Sequence, residues 1–352
     1  MNNKPKISRS VSLYSYQQPY YEGKLDLEGC IREVAKTGAT GIELLAEQMI
    51  DDFPVITPAF QDQWFGWMEK YGTEPTCYDA FLENRIYDNR TLTLREQIEM
   101  MARDINIASQ LGFKTLRTLV ATPIDVIEGS LEYAAKKDIK ICLEVHSPFS
   151  FNSTWADGYM RLIQKTGTQH FGFIPDFGIF CRDIPQTMRD QAFRFGASQR
   201  GVELVDEAFK ERVSNGFVKI EYDLDLGRAH RAYLEANGYS KLMEALKQAG
   251  ANEADFKYAG KSFTFTWNDP QDLIDNMPCI FHTHAKCYDL TPDYIEPSMP
   301  LDEIVAAYKK GGYTGYLSTE YEGHGFLNDA FEVDSIEQVR RHQEALKRAI
   351  EK

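Results

Sequence analysis

The chain has no apolar run approaching the roughly 18 residues that a membrane-spanning helix needs, so no membrane span is expected. Its opening, MNNKPKISRSVSLYSYQQ, also lacks the apolar core of a secretory signal. No lysine- or arginine-rich block exists, and the net charge is −14. Binding nucleic acid through its phosphates would require a basic face, so that class of partner is not expected. Six cysteines (Cys30, Cys77, Cys142, Cys181, Cys279, Cys287) form no C-x-x-C pair, and several lie inside apolar runs. They read as buried free thiols, which together with the missing signal suits a reducing, cytoplasmic setting. The G-x-G-x-x-G fingerprint of dinucleotide-binding folds is missing as well.

What the chain does have is rhythm. Short apolar or alternating runs recur at 11–16, 41–45, 75–80, 115–120, 140–146, 171–176, 279–285 and 316–321. Amphipathic stretches such as LDLEGCIREVAKTGA, LREQIEMMARDINIASQLG and LDEIVAAYKKGG separate them, several ending in the glycine that helix C-termini favour. Strands alternating with helices imply parallel pairing, and eight such units predict a single-domain α/β fold over residues 1–352, a (β/α)8 TIM barrel. Residues 183–278 interrupt the rhythm between the sixth and seventh strands. Their strand-like pieces, GFVKIEYDL (216–224) and KSFTFTW (261–267), would exceed eight strands, so the interval is expected to be a large insertion, a cap or a subunit-contact region.

Chemistry-bearing residues gather at the ends of four consecutive predicted strands. Glu144 and His146 lie two apart in KICLEVH and leave the same face of a strand. Asp176 ends FGFIPD, His282 and His284 alternate in CIFHTHA, and Glu320 and Glu322 end YLSTEYE. Buried acids need partners, and a dication lets several share one barrel mouth without protonating. Two Glu, one Asp and one His suit Mn2+, with Mg2+, Fe2+, Co2+ or Zn2+ as alternatives. The expected ligands are Glu144, Asp176, His284 and Glu320. His284 is preferred to His282 because it lies one pleat nearer the C-terminal end, leaving His282 to support it from behind. Glu320 is preferred to Glu322, which reads as solvated in the following loop. Glu43, an inward acid at a strand end, reads as structural or pocket-lining, and Lys286 as a supporting or substrate-contacting group. His170, His230 and His342 sit in helical or polar contexts and read as surface groups, while His324 is a candidate for the mouth.

At these residues the chain resembles the sugar phosphate isomerase/epimerase-like superfamily of metal-dependent barrels, whose ligands follow the order Glu, Asp, His, Glu. It departs from the ketohexose 3-epimerases of that group, with Ile179 where they have a substrate-binding His and Leu290 where they have an Arg. The segments VSLYSYQQPYYEGKLDLEGCI, GATGIELLAEQMI, EVHSP and KCYD resemble the large catalytic subunit of bacterial C-glycoside deglycosidases. That resemblance implies a small β subunit as partner. It also implies cleavage of the carbon–carbon bond between a 3-oxo-glucosyl unit and an aromatic aglycone, the oxo group having been installed by a separate oxidoreductase. A ketone at C3 acidifies the C2 hydrogen, so elimination can release the aryl carbon. His146 suits the acid–base task, and Glu144 or Glu320 is the candidate base at C2. Tyr14, Tyr16, Phe149 and Phe177 suit either a flat aglycone or core packing. A sugar or inositol isomerase, epimerase or dehydratase on the same metal site is the rival reading.

Overall fold

A computed structural model describes residues 7–221, 223, 225–323 and 332–352. His324 lies outside the described residues. The described residues contain eight strands: β1 (Ser8–Ser12), β2 (Gly41–Leu44), β3 (Glu74–Asp79), β4 (Thr115–Thr118), β5 (Lys140–Val145), β6 (Phe171–Pro175), β7 (His284–Cys287) and β8 (Tyr316–Tyr321). All pair in parallel, in the order β6-β5-β4-β3-β2-β1-β8-β7. Two single parallel bridges, Phe173 to Ile280 and Asp176 to His284, join β6 to β7 and close the ring. Gly172 is required at that seam, because a Cβ there would lie 2.4 Å from the Cys279 carbonyl oxygen.

Local chemistry explains the surrounding helices. Asp26 caps the helix Leu27–Lys36 by accepting from the Gly29 amide, and Thr57 caps Pro58–Tyr71, which begins with proline at its first position. Thr93 and Glu96 form a reciprocal capping box at the start of Leu94–Gln110. The apolar faces of these helices meet the outward faces of the strands in one continuous core. Inside the ring, Cys77, Cys142 and Ile174 pack with Phe281, and Ser10 Oγ donates to Ser318 Oγ at 2.9 Å. The barrel interior is thus a packed plug that supports the mouth. All six cysteines are free thiols. No helix of the described residues is long and apolar enough to cross a membrane.

Several boundaries differ from the pattern in the sequence. The run at 11–16 contributes only its first two residues to β1, because Leu13–Tyr16 turns into a 3-10 helix. The run at 279–285 contributes only His284 and Ala285 to β7, since Pro278 sits in a 3-10 turn, Met277–Cys279, that delays pairing. Neither strand-like piece within 183–278 is a strand among the described residues. Residues 217 and 220 are buried and 218 is exposed, but the Val218 backbone is satisfied by the side chain of Asn237 instead of a neighbouring strand. In the second piece, Lys261 and Ser262 finish a helix, and the residues beyond them bond to the loop after β6.

The described residues of 183–278 instead carry the α-helices Gln186–Arg194, Gln199–Asn215, Leu226–Ala236, Tyr239–Gln248, Glu253–Ser262 and Asp272–Asn276. They meet the loops after β5 and β6. Ser147 Oγ and Thr266 Oγ1 are 3.0 Å apart, Asn152 Nδ2 donates to Asp272, and Phe149 packs against Ile220, Ala229 and Tyr233.

His342 does not lie on the surface. It is fully buried, with Nδ1 2.9 Å from Thr319 Oγ1 on β8. The polar residues around it obscure a helical stripe, Val339, His342, Leu346 and Ala349, spaced three or four apart on the inner face of Ser335–Glu351. Burial lowers its pKa from 6.5 to about 3. Between those values the unfolded chain binds a proton that the folded chain refuses. The stability gained from a neutral ring is therefore present above pH 6.5 and is lost as pH falls, by about 1.4 kcal/mol per unit. Between pH 6.5 and 4.5, urea unfolding of His342→Gln should show ~2–3 kcal/mol less acid destabilisation than the native chain. Equal losses would clear this ring of the acid sensitivity.

Candidate metal centre

Strand register assembles the site. Residues in register on adjacent parallel strands share a face. Asp79 on β3 thus faces the same side as Arg117 on β4. Lys286 on β7 pairs in register with Glu320 on β8, and Asp176 bridges to His284 across the closing seam. Glu43 comes from β2 and Glu144 from β5. All eight side chains are buried at the C-terminal end of the barrel.

One ligand atom from each of Glu144, Asp176, His284 and Glu320 lies within 4.8 Å of the other three. The atom on His284 that faces the carboxylates is Nδ1, which is 2.9 Å from Glu144 Oε1, 3.3 Å from Glu320 Oε2 and 4.0 Å from Asp176 Oδ2. The opposite nitrogen, Nε2, donates to Glu43 Oε1 at 2.7 Å. Glu43 Oε2 accepts from His282 Nε2 at 2.8 Å. Because an ionised carboxylate only accepts, Glu43 fixes the proton of His284 on Nε2 and turns Nδ1 toward the three acids. His282 holds Glu43 from below and stands outside the four-residue cluster. Two further groupings, Glu43 with Cys77 and His282 and Glu43 with Asp79 and His284, both depend on Glu43, whose oxygens are taken by the imidazoles.

Two cations flank the cluster. Arg117 Nη2 is 3.0 Å from Glu144 Oε2, leaving Oε1 to face inward. Lys286 Nζ contacts Asp176 Oδ2 at 3.0 Å, Glu320 Oε2 at 2.9 Å and Glu322 Oε2 at 2.8 Å. Burial pushes the Glu144 carboxyl up, but Arg117 and His284 outweigh it and hold the group at about 2. Burial dominates at Asp176 and raises it to about 6 against the pull of Lys286. Glu320 is driven well below its usual range, since His284 and Lys286 overcome its desolvation. Desolvation would lower His284, yet Glu320 and Glu43 raise it well above an ordinary imidazole.

The donor set fits a divalent cation. Asp176 Oδ2 and Glu320 Oε2 are buried and share the one Lys286 ammonium, at 3.0 and 2.9 Å. Three buried carboxylates crowded around one point are costly, and a dication among them and Nδ1 would offset that cost. These buried acids and His284 could therefore hold a metal ion.

His146 lies beside the cluster and outside it. The ring is half-buried, with Nδ1 2.8 Å from the Ser147 carbonyl oxygen, and it acts electrostatically on both Glu144 and Asp176. Glu322 is not merely solvated, being held by Lys286 and by the Tyr14 hydroxyl at 3.4 Å. Tyr16 and Phe177 are fully buried core residues, whereas Tyr14 and Phe149 are partly exposed. Arg117 and Asp79 escaped the sequence reading. The signal was a charge in the middle of TLRTLV and an acid near the end of PTCYDA, the same inward-acid pattern that singled out Glu43.

The fold is a parallel (β/α)8 barrel with a cluster at its mouth that could hold a metal ion, and residues 31–256 match the family described as xylose isomerase-like TIM barrel. The chain belongs to that family. Among characterised relatives it is similar to the C-glycoside deglycosidase alpha subunit of Arthrobacter globiformis, with 27% identity across 98% of this chain and 93% of that one. It is also 27% identical to the 3'-dehydrocarminate deglycosidase alpha subunit of a Microbacterium species, over 92% of this chain and 91% of that one. The IolI protein, solved with a bound zinc atom, shares the fold at a TM-score of 0.51, with 13% identity over 98% of both chains.

Proposed function

We propose that this chain is the catalytic subunit of a 3-oxo-C-glycoside deglycosidase, a carbon–carbon lyase acting with a small β subunit. The observation that carries the reading is the cluster of Glu144, Asp176, His284 and Glu320 at the barrel mouth of a chain similar along nearly its whole length to deglycosidase alpha subunits. The preferred ion is Mn2+, on the argument that three carboxylates with one imidazole form a hard-to-borderline donor set. The zinc of IolI supports a divalent ion on this fold without choosing among metals.

An aryl C-glycoside has no leaving oxygen to protonate, so the paired-carboxylate route of O-glycosidases does not apply. When bound, the metal supplies Lewis acidity toward the 3-oxo group. The chain's residues do the rest. Glu144, Asp176, His284 and Glu320 hold the ion, and Glu43 and Arg117 keep His284 and Glu144 turned toward it. His146, beside the cluster, takes a proton from an ortho phenol of the aglycone and returns it to the departing aryl carbon, acting in turn as base and acid. Residues 183–278 lie against the loops after β5 and β6, where they cap the aglycone or meet the small subunit.

The test is elemental analysis of the purified chain combined with turnover of 3'-dehydrocarminate, with and without the small subunit. About one equivalent of divalent ion and release of the aglycone are expected. Inactivity toward that compound together with interconversion of free ketoses or inososes would transfer the site to the isomerase and epimerase reading.

A further inference from the structure

The helix Gln199–Asn215 buries Val202, Val205 and Phe209 at spacings of three and four, and the next position of that stripe is Arg212. An arginine where the pattern calls for an apolar residue must bury its guanidinium, and this residue is 8% exposed. The rings of Phe263, Phe209 and Phe217 surround it, with centroids 4.0, 5.4 and 5.8 Å from Cζ. Nη2 donates weakly to Ser262, at 3.3 Å to Oγ and 3.4 Å to the carbonyl oxygen, while Nε is buried with no acceptor. Among the described residues no carboxylate pairs with it, whereas Arg117, buried to the same extent, has Glu144 at 3.0 Å. A buried charge without a counter-charge is costly, and desolvation accordingly lowers the Arg212 pKa to about 10.

The guanidinium is not sealed in. Arg212 lines a cavity of about 530 Å3 beside the helix Tyr239–Gln248, with walls that include Leu204, Ala208, Val218, Leu242 and Ala245. We propose that this cavity binds a small monocarboxylate with an apolar body, its carboxylate pairing with Arg212. None of the lining residues belongs to the metal cluster, so the site is separate from the chemistry at the barrel mouth.

The rest of the lining defines the class of ligand. Lys241 pairs with Glu211 at 3.3 Å and Arg200 with Glu207 at 4.0 Å, so both acids at the cavity already have cations of their own. Asn237 is engaged with the Val218 backbone and the Tyr233 carbonyl oxygen. One positive charge is left over, and a single negative charge balances it. The planar guanidinium suits a carboxylate, with which it forms strong charge-assisted hydrogen bonds. Aliphatic walls favour an apolar body and penalise a sugar or a second charged end, whose polar groups would lose water without gaining partners. A cavity of this size is ample for a small organic acid.

The test takes octanoate as the probe and octanamide as its uncharged counterpart, titrated calorimetrically into the full chain. Native protein is expected to bind octanoate at about one equivalent with a Kd of about 1 mM or below, and octanamide about tenfold or more weakly. Arg212→Met keeps an unbranched stem among the three rings and removes the charge, so octanoate affinity should fall about tenfold or more while octanamide affinity stays the same. Without ligand, the thermal midpoint of that variant should equal or exceed the native one, because an apolar side chain replaces a buried cation that has no counter-ion. Ala245→Trp leaves Arg212 in place and fills the cavity, so it should abolish octanoate binding even if Arg212→Met fails to fold. No binding to native protein at about 10 mM octanoate, or no preference for octanoate over octanamide, would overturn the proposal. So would unchanged octanoate affinity in Ala245→Trp. A lowered midpoint in Arg212→Met with octanoate affinity unchanged would also overturn it, and would assign the guanidinium to packing alone.

Discussion

His284→Ala protein is expected to fold and yet to bind a divalent ion on the order of 100-fold or more weakly, because this ring supplies the one nitrogen ligand in the cluster. Removing groups that merely orient a ligand typically costs 10–100-fold in affinity, and removing the ligand should cost at least as much. His284 Nδ1 faces all three acids, so its loss removes the nitrogen around which Glu144, Asp176 and Glu320 converge and leaves only Arg117 and Lys286 to offset their charge. Elemental analysis after dialysis, with the thermal midpoint as a check on folding, reads the outcome. Glu43→Gln should weaken binding less, by about 10–100-fold, since it disturbs only the tautomer and ring angle. Stoichiometric metal in His284→Ala together with its loss in His282→Ala would move the ligand role one pleat down the strand.

The second large effect falls on chemistry with binding intact. His146→Ala should retain the metal and lose cleavage of 3'-dehydrocarminate by about 100- to 10,000-fold, the range contributed by a positioned acid–base group. The ring lies two residues beyond Glu144, is half-buried, and has its Nδ1 tied to the Ser147 carbonyl oxygen, so Nε2 is the nitrogen left to meet substrate. The Ser147 carbonyl only accepts, so Nδ1 carries the proton in that bond and neutral Nε2 is free to take a proton from the aglycone before giving it to the aryl carbon. Full turnover in this variant would remove His146 from the mechanism. Metal loss would instead recast it as part of the ion's support.

How much of this was legible beforehand differs from residue to residue. Apolar runs alternating with amphipathic stretches suffice for a parallel barrel, because each local period is set by backbone geometry alone. Glu144, Asp176, His284 and Glu320 stood out because acids and imidazoles in otherwise buried strands demand an explanation. His342 was misread because its neighbours in the chain are polar, while its neighbours three and four positions away lie on the buried stripe. GFVKIEYDL alternates as a strand does, yet among the described residues no strand pairs with it, and Asn237 meets the Val218 backbone instead.

The amino-acid order by itself determined the parallel barrel and the identity of the acids and imidazoles its strands carry, since these follow from interactions within a few residues. Only the tertiary structure decided which nitrogen of His284 faces the acids, that Glu43 orients it, that Arg117 and Lys286 flank the cluster, and that Glu322 stands beside it. The physical reason is that these relations are set by the register between strands far apart in the chain and by which side chain reaches a shared buried space first. No local pattern records either.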